Sequence, residues 1–435
     1  MKFTKTLLTT ALFSLSVLSS SQMAYANSAQ ETQFQQGAEA YDRSDFATAL
    51  KLLKPLAEQG DAKAQYKLGY MYFKGKGVKQ DDFQAVKWYQ KAAEQGLAEA
   101  QYELGTMYYF GAGVKKDSVQ EFKWYQKAAE QGHAEAQYNL ALMYKNGQGV
   151  KQDYFQAVKW YQKAAEQGYA KAQFYLGDMY HYGRGVKQDY VQTVKWYQKA
   201  AEQGDAQAQY QLGGMYYDGQ GVKQDYFQAV KWYQKAAEKG DAEAQYNLGY
   251  MYGNGEGVKQ DYFQAVKWYQ KAAEQGDAQA QYQLGGMYYD GQGVKQDYFQ
   301  AVKWYQKAAE KGDAQAQFNL ALMYENGKGV KQDYFQAVKW YQKAAEKGLA
   351  EAQFNLGGMY YNGQGVKQDY FQAVKWYQKA AEHGDAQAQT NLGVMYALGQ
   401  GVKPDLNLAK MWAGKGCDNG NQNGCDLYRM LNEGK

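Results

Sequence analysis

The side chains that could act as nucleophiles or metal ligands are few in this chain. The serines beyond residue 26, the histidines and the cysteines are Ser28, Ser44, Ser118, His133, His181, His383, Cys417 and Cys425. Acyl-transfer chemistry requires a serine or cysteine beside a histidine, yet none lies within ten residues of a histidine in the sequence. Three scattered histidines do not form a zinc ligand set. We therefore expect no catalytic site, no cofactor and no metal.

A second motif could bind phosphate. The segment Gly-x-Gly-Val-Lys-Gln-Asp recurs nearly intact in most copies of a repeat, for example from Gly219 to Asp225. A phosphate-binding loop would follow a strand, whereas each copy here links two predicted helices. We favour a structural turn in which the glycines adopt positive φ.

The repeat is revealed by tryptophan. All ten tryptophans, from Trp88 to Trp412, recur at a spacing of 36 residues. A unit of this length is one helix pair, which cannot bury its apolar face alone, so copies must stack. Residues 201–242 recur unchanged at 273–314, which fits a lengthened scaffold better than a unique active centre.

Each repeat is predicted to contain two helices, as residues 205–240 illustrate. Asp205 caps the first helix, which carries an apolar stripe and the small residue Gly213, where we expect a close helix crossing. The second helix opens at Asp225, with Gln228 placed as in a capping box. Trp232 lies beside its apolar stripe, on a face that could meet the next repeat.

Ten such repeats span residues 61–420. Residues 27–60 are predicted to be an N-terminal capping helix pair (33–42 and 46–59), and 421–435 a C-terminal capping helix (421–432). Residues 1–26 have a positive start, an apolar run and an Ala-x-Ala site, which are typical of a cleaved signal peptide. We expect a periplasmic or secreted protein with no integral membrane segment after signal removal.

The charge and the cysteines narrow the possible partners. Without Lys2 and Lys5 the basic residues fall from 49 to 47 against 45 acidic residues, so no basic patch indicates nucleic acid. The close pair Cys417 and Cys425 in an oxidising compartment indicates a disulfide more than a metal site.

The repeat pattern resembles that of Sel1-like repeats, relatives of tetratricopeptide repeats. The resemblance covers residues 61–420 through its Leu-Gly, Gly-x-Gly-Val and Lys-Ala-Ala elements. It implies an all-α, right-handed α/α superhelix (a solenoid) that acts as an adaptor. The spacing of Cys417 and Cys425 is similar to that of the cysteine-rich secreted branch, although earlier copies have Ala201 and Gln209 at the matching positions. That departure weakens any transfer of the branch's penicillin-binding or β-lactamase activity.

Two positions of the first helix vary between copies and are candidate partner contacts. One follows Met-Tyr and the other precedes Leu-Gly; we call them the Met-Tyr slot and the Leu-Gly slot. The candidate residues at them are Tyr109, Tyr175, His181, Tyr217, Tyr289 and Tyr361. By the resemblance they line the concave face, where rings and amides could hold extended peptide or glycan. A solvated helix face is an equal alternative.

We therefore expect an exported, non-catalytic adaptor that binds protein or peptide partners. The alternatives are a periplasmic protein that binds peptidoglycan or another glycan and, by family analogy alone, a weak β-lactam hydrolase.

Overall fold

The computed structural model describes residues 28–434, and within them it has 23 helices and no strand. The all-α class predicted from the sequence is confirmed. None of the helices in this range has both the length and the apolar character needed to cross a bilayer. The predicted signal peptide at 1–26 lies outside the described residues.

The helices alternate as the 36-residue period requires. The first helices of the ten repeats are α3 (Ala62–Lys74), α5 (Ala98–Phe110), α7 (Ala134–Asn146), α9 (Ala170–Tyr182), α11 (Ala206–Asp218), α13 (Ala242–Asn254), α15 (Ala278–Asp290), α17 (Ala314–Asn326), α19 (Ala350–Asn362) and α21 (Ala386–Leu398). The second helices are α4 (Asp82–Glu94), α6 (Ser118–Glu130), α8 (Tyr154–Glu166), α10 (Tyr190–Glu202), α12 (Tyr226–Glu238), α14 (Tyr262–Glu274), α16 (Tyr298–Glu310), α18 (Tyr334–Glu346), α20 (Tyr370–Glu382) and α22 (Leu406–Asp418).

Three terminal helices flank these repeats. Helix α1 covers residues 28–42, α2 is Phe46–Gln59 and α23 is Gln422–Asn432. From α2 to α10 and from α12 to α23, each helix packs against the next one in the chain. The described residues form two compact units, 28–208 with 220–222, and 209–219 with 223–434.

Aspartate caps begin both kinds of helix. The Asp225 carboxylate accepts a hydrogen bond from the Gln228 backbone N–H at 3.0 Å, and Asp205 accepts one from Ala208 at 2.8 Å. Each satisfies one of the N–H groups that have no partner within the helix. The helix starts inferred from the sequence at Asp205 and Asp225 are therefore correct.

The hydrophobic core is shared between neighbouring repeats. One cluster joins Ala265 and Tyr269 of α14 to Leu284 of α15 and Trp304 of α16. Trp304 thus packs back onto the second helix of the preceding repeat, and the next cluster along the chain is reached by Tyr305 on the same helix. The expectation that the tryptophan meets the next repeat is wrong, because the tyrosine beside it occupies that face.

The two glycines of the interhelix turn have different duties. Gly291 ends α15 in the left-handed conformation at φ 73°. Gly293 is also left-handed, at φ 68°, but a Cβ there would lie 2.3 Å from the backbone oxygen of Tyr262. The second glycine is therefore required because the turn rests directly on the start of the preceding repeat's second helix. This contact supports the structural interpretation of the motif.

A close approach also explains the small residue inside each first helix. A Cβ on Gly213 would lie 2.7 Å from the ring of Tyr233. The predicted close crossing is confirmed, and its partner is the buried tyrosine of the second helix.

A buried glutamine in each first helix ties the repeats together. Gln65 donates to the carbonyl of Ala57 at 3.1 Å, and its own side-chain oxygen accepts from Gln95 at 2.8 Å. The bond to the carbonyl of the preceding repeat recurs along the chain, whereas the bond to the side-chain oxygen recurs where an amide follows the second helix. These bonds satisfy polar groups that would otherwise be costly to bury.

Candidate functional site

The two variable positions of the first helix meet across neighbouring repeats. The ammonium of Lys145, at the Met-Tyr slot of α7, lies 4.5 Å from the ring centroid of Tyr175, at the Leu-Gly slot of α9. Farther along, the Tyr341 hydroxyl donates to Glu325 at the Met-Tyr slot of α17 and accepts from Asn355 at the Leu-Gly slot of α19 at 3.0 Å. Each pair of slots therefore forms one surface, a groove between successive first helices.

The groove contains a cavity of about 550 Å³ between α15 and α17. Its lining includes three slot residues, Gln283 and Tyr289 from one repeat and Asn319 from the next. Leu322 and Met323 add apolar surface to the lining. Aromatic and apolar side chains beside a few amides are the usual composition of a ligand pocket.

Tyr289 forms the wall of this cavity together with Lys328, a residue outside the two slots. Lys328 donates a hydrogen bond from Nζ to the Tyr289 hydroxyl at 2.8 Å, and the same Nζ lies 5.0 Å from the Tyr289 ring centroid. The hydroxyl holds the pKa of Lys328 above its ordinary value. Lys328 is the residue between the two glycines of the next repeat's turn.

The same contact recurs two repeats away on either side. The Tyr361 hydroxyl donates to Gln400 at 3.3 Å, and burial followed by a hydrogen bond to Glu256 raises the pKa of Tyr217. The partner is thus acidic, basic or neutral in three otherwise similar positions. The residue between the two turn glycines varies from copy to copy as the slots do, so this variation in the sequence could have identified it as a further candidate contact.

A glycine opens the groove in the same three repeats. The sequence Leu-Gly-Gly-Met-Tyr-Tyr occurs at 212–217, 284–289 and 356–361. A Cβ on Gly286 would lie 3.6 Å from the Tyr305 hydroxyl, whereas the bulkier Leu322 occupies this position in the next repeat. The glycine leaves the Tyr305 hydroxyl facing the cavity that it lines. Burial raises the pKa of Tyr305, so its hydroxyl stays protonated near neutral pH.

The candidate tyrosines differ in how closely their rings pack against neighbouring side chains. The rings of Tyr217, Tyr289 and Tyr361 lie 5.2 Å from those of Tyr226, Tyr298 and Tyr370 respectively. Tyr175 is half-buried and stacks on Tyr161 at 5.7 Å. Tyr109 is the most open of them, with 41% of its surface exposed.

His181 stands apart from the tyrosines. Its ring contacts Tyr182 at 4.6 Å and Tyr190 at 5.4 Å, and its buried Nδ1 has no hydrogen-bond partner among the described residues. No candidate other than Tyr289 lines the cavity between α15 and α17. The candidates are therefore distributed along the repeats instead of converging on one centre.

The asparagines at the Leu-Gly slot have a structural duty that the sequence did not reveal. Asn355 donates to the buried Tyr341 hydroxyl, and Asn391 similarly lowers the raised pKa of Tyr377. These amides satisfy a buried hydroxyl of the neighbouring second helix, so they are not freely available to a ligand.

The chain's two cysteines lie together at the C-terminal end. The sulfur atoms of Cys417 on α22 and Cys425 on α23 are joined in the structure, with Cα atoms 4.5 Å apart. The link ties the final helix to the tenth repeat. Within residues 28–434, no group of three or more histidine, cysteine, aspartate or glutamate side chains could hold a metal ion.

Comparison with known proteins identifies the repeat. A family model described as Sel1 repeat matches eleven consecutive segments from residue 23 to residue 421. The first match, at 23–61, includes α2 and the whole of the predicted N-terminal cap at 27–60, so this model counts one repeat more than the ten inferred from tryptophan spacing.

Two solved structures are similar to this chain. One is c5321, described as a protective antigen of uropathogenic Escherichia coli strains displaying an SLR fold. It is 40% identical with a TM-score of 0.85, over 95% of this chain and 90% of that one. The other is a Sel1 repeat protein from Oxalobacter formigenes, 36% identical with a TM-score of 0.56, over 71% and 90% of the respective chains. Among curated proteins compared by sequence, none matches.

Proposed function

Because this chain belongs to the Sel1 repeat family, whose helical scaffolds generally mediate protein interactions, we propose that it is an exported, non-catalytic adaptor. The groove between its first helices binds a protein or peptide partner. The cavity between α15 and α17 is the observation that carries this proposal.

The cavity offers three kinds of contact at once. The Tyr289 ring and Met323 provide apolar contact, Gln283 can donate and accept hydrogen bonds, and Lys328 and Asp290 supply opposite charges at its lining. Tyrosine contributes much of the binding free energy in many protein interfaces because its ring buries a large area yet keeps a polar edge. An extended peptide inserting one side chain into such a cavity would use all three.

Export rests on separate support. Residues 1–26 have the composition of a signal peptide, and c5321, which is 40% identical, is described as a protective antigen, a role suited to a protein that leaves the cytoplasm. Fractionation of the host together with N-terminal sequencing of the mature protein tests this part. A protein that retains Met1 and stays in the cytoplasm would refute it.

The binding proposal can be tested by site-specific photo-crosslinking in the host. A photoreactive amino acid at position 283 faces the cavity, and the same group at position 279 is exposed on the same helix outside the cavity lining. We expect a discrete protein adduct from position 283 and not from position 279. Adducts of equal yield from both positions, or none from 283, would contradict the proposal.

The partner found in this way allows a quantitative test. Tyr289→Ala removes the ring that lines the cavity and should weaken binding about tenfold or more, as expected for an interface hot spot. Tyr428→Ala, which removes an exposed tyrosine of the terminal helix α23 outside both slots, is the control and should leave binding unchanged. Recovery of peptidoglycan in place of a protein would favour the glycan alternative.

A further inference from the structure

Exposed phenylalanines recur near the start of the second helices, away from the groove residues described above. In the second unit these side chains are each about two-thirds exposed, at 65–67%. They are Phe227, Phe263, Phe299, Phe335 and Phe371. The first unit has Phe83, Val119, Phe155 and Val191 at the same repeat position, with 62–68% exposed. We call the five residues of the second unit the phenylalanine row.

Exposure of this kind needs an explanation. A single apolar side chain on a surface is ordinary, but a regular set of large ones marks a surface that contacts something apolar. Phe263 belongs to neither of the core clusters described for α14, whereas Val266, three residues later, is 6% exposed and belongs to the core. Packing within the chain therefore leaves about two-thirds of each side chain in the phenylalanine row uncovered.

Lysines accompany each member of the row. Phe263, Lys267 and Lys271 follow one another at intervals of four residues on α14, and all three line one shallow depression. The ammonium of Lys271 lies 4.2 Å from the Trp268 ring centroid, and neither lysine belongs to an ion pair among residues 28–434, where the pairs are Lys54–Glu58 and Arg429–Asp426. Glu274, on the same surface, accepts a hydrogen bond from Gln270.

The charges of the repeats are segregated in the same way. In the five repeats from residue 241 to 420, the segments that contain the second helices carry 17 basic and 10 acidic residues. The segments that contain the first helices carry one basic and nine acidic residues. The counts for the second helices cover residues 257–276, 293–312, 329–348, 365–384 and 401–420. The counts for the first helices cover the segments that begin at residue 241 and lie immediately before each of these. The near-neutral total charge thus conceals a basic side.

We propose that the phenylalanine row and its lysines form a docking surface for an anionic phospholipid bilayer. Lysines beside exposed apolar side chains are the composition by which proteins bind the interface of a membrane, with ammonium groups on the headgroups and rings at the acyl boundary. The charge complementarity requires an anionic surface, and the rings distinguish this surface from one that binds only a soluble polyanion.

The repetition of the surface favours a lipid layer over a folded partner. The sequence Asp-Tyr-Phe-Gln-Ala-Val-Lys-Trp-Tyr-Gln-Lys is the same in all five second helices that carry the row. A folded protein that is not itself built of repeats presents a different chemistry at each point of its surface, so it would leave most of five identical contacts unmatched. A bilayer presents the same chemistry everywhere.

Sedimentation with lipid vesicles tests the proposal. The purified protein is mixed with vesicles of phosphatidylcholine alone or of phosphatidylcholine with phosphatidylglycerol. We expect it to sediment with the anionic vesicles, and less so as salt is raised, because exposed charges are screened. The variant Phe263→Ser/Phe299→Ser/Phe335→Ser should reduce partition onto these vesicles by about tenfold or more.

A matched variant separates the row from general apolar exposure. Phe110, Tyr182 and Leu398 are 57–71% exposed at the ends of first helices, and their replacement by serine should leave partition unchanged. The wild type and both variants share the same N-terminal segment, so its contribution cancels. Circular dichroism checks that each variant retains its helices.

Three results would overturn the proposal. The first is no sedimentation of the wild type with anionic vesicles. The second is an equal loss in both triple variants. The third is concentration-dependent self-association that disappears in the phenylalanine variant without any binding to lipid, which would assign the row to contacts between copies of this chain.

Discussion

Gln275 donates a hydrogen bond at 2.8 Å to the buried side-chain oxygen of Gln245, across 30 residues of sequence. Gln275 is the residue that follows the last turn of a second helix, and Gln245 is the buried glutamine of the first helix in the same repeat. Where the residue after the second helix is not an amide, this contact fails. The buried oxygens of Gln317 and Gln353 have no partner in the repeats that end at Lys347 and His383.

Restoring the amide should stabilise the array. Lys347→Gln gives the Gln317 oxygen a donor, and we expect the free energy of unfolding to rise by about 1 kcal/mol. The converse change, Gln275→Lys, should lower it by a similar amount because it leaves the Gln245 oxygen unpaired. Urea unfolding of both variants measures the effect, and changes of the same sign in the two would contradict this account.

The two glycines of one turn should differ in their tolerance of alanine. Gly291→Ala meets the strain of a positive φ and a tight but tolerable approach to Gln296, whose Cβ would lie 3.2 Å away, and should cost about 1–2 kcal/mol. Gly293→Ala adds a collision with the backbone of Tyr262, so we expect a loss of at least about 3 kcal/mol. Thermal unfolding of the pair checks the order; equal losses would show that the turn does not rest on the preceding helix.

A buried carboxyl should make stability depend on pH. Glu121 on α6 is 3% exposed, at the repeat position that Ala157 occupies in α8. Burial raises the pKa of Glu121 to about 7, although Gln148 donates a hydrogen bond to its carboxylate at 3.0 Å. The pKa in the folded state is above the unfolded value, so the stabilising contribution is complete at acidic pH. It is lost as the pH rises through about 7.

The variant Glu121→Ala should therefore gain stability relative to the wild type as the pH rises. We expect the difference in free energy of unfolding to change by about 2 kcal/mol between about pH 5 and pH 8. Glu130→Gln, an exposed carboxylate on the same helix, is the control. A difference for Glu121→Ala that is constant over this range would show that the carboxyl is ionised throughout.

The C-terminal cysteines remain a prediction for the protein in solution. Thiol titration in denaturant should find no free thiol, and two reactive thiols would refute the disulfide. Its removal by Cys417→Ala/Cys425→Ala should cost about 2–3 kcal/mol. Because the link joins only the last two helices, hydrogen exchange should increase at α23 more than in the preceding repeats.

The sequence alone determined the repeat and its helices. Caps, apolar stripes and turn glycines act within about four residues of each other, so their pattern can be read without knowing how helices pack. It placed the helix starts at Asp205 and Asp225, the second terminal helix at Phe46–Gln59 and the close crossing at Gly213.

The tertiary structure decided which residues of different repeats meet. Tyr289, Asn319 and Lys328 line one cavity although 30 to 39 residues separate Tyr289 from the other two. The direction in which Trp304 points and the exposure of Phe263 also depend on how each helix is rotated against its neighbours. That rotation is set by packing between repeats. The sequence does not show it, because an apolar residue at a helical spacing gives the same pattern whether it faces the core or the solvent.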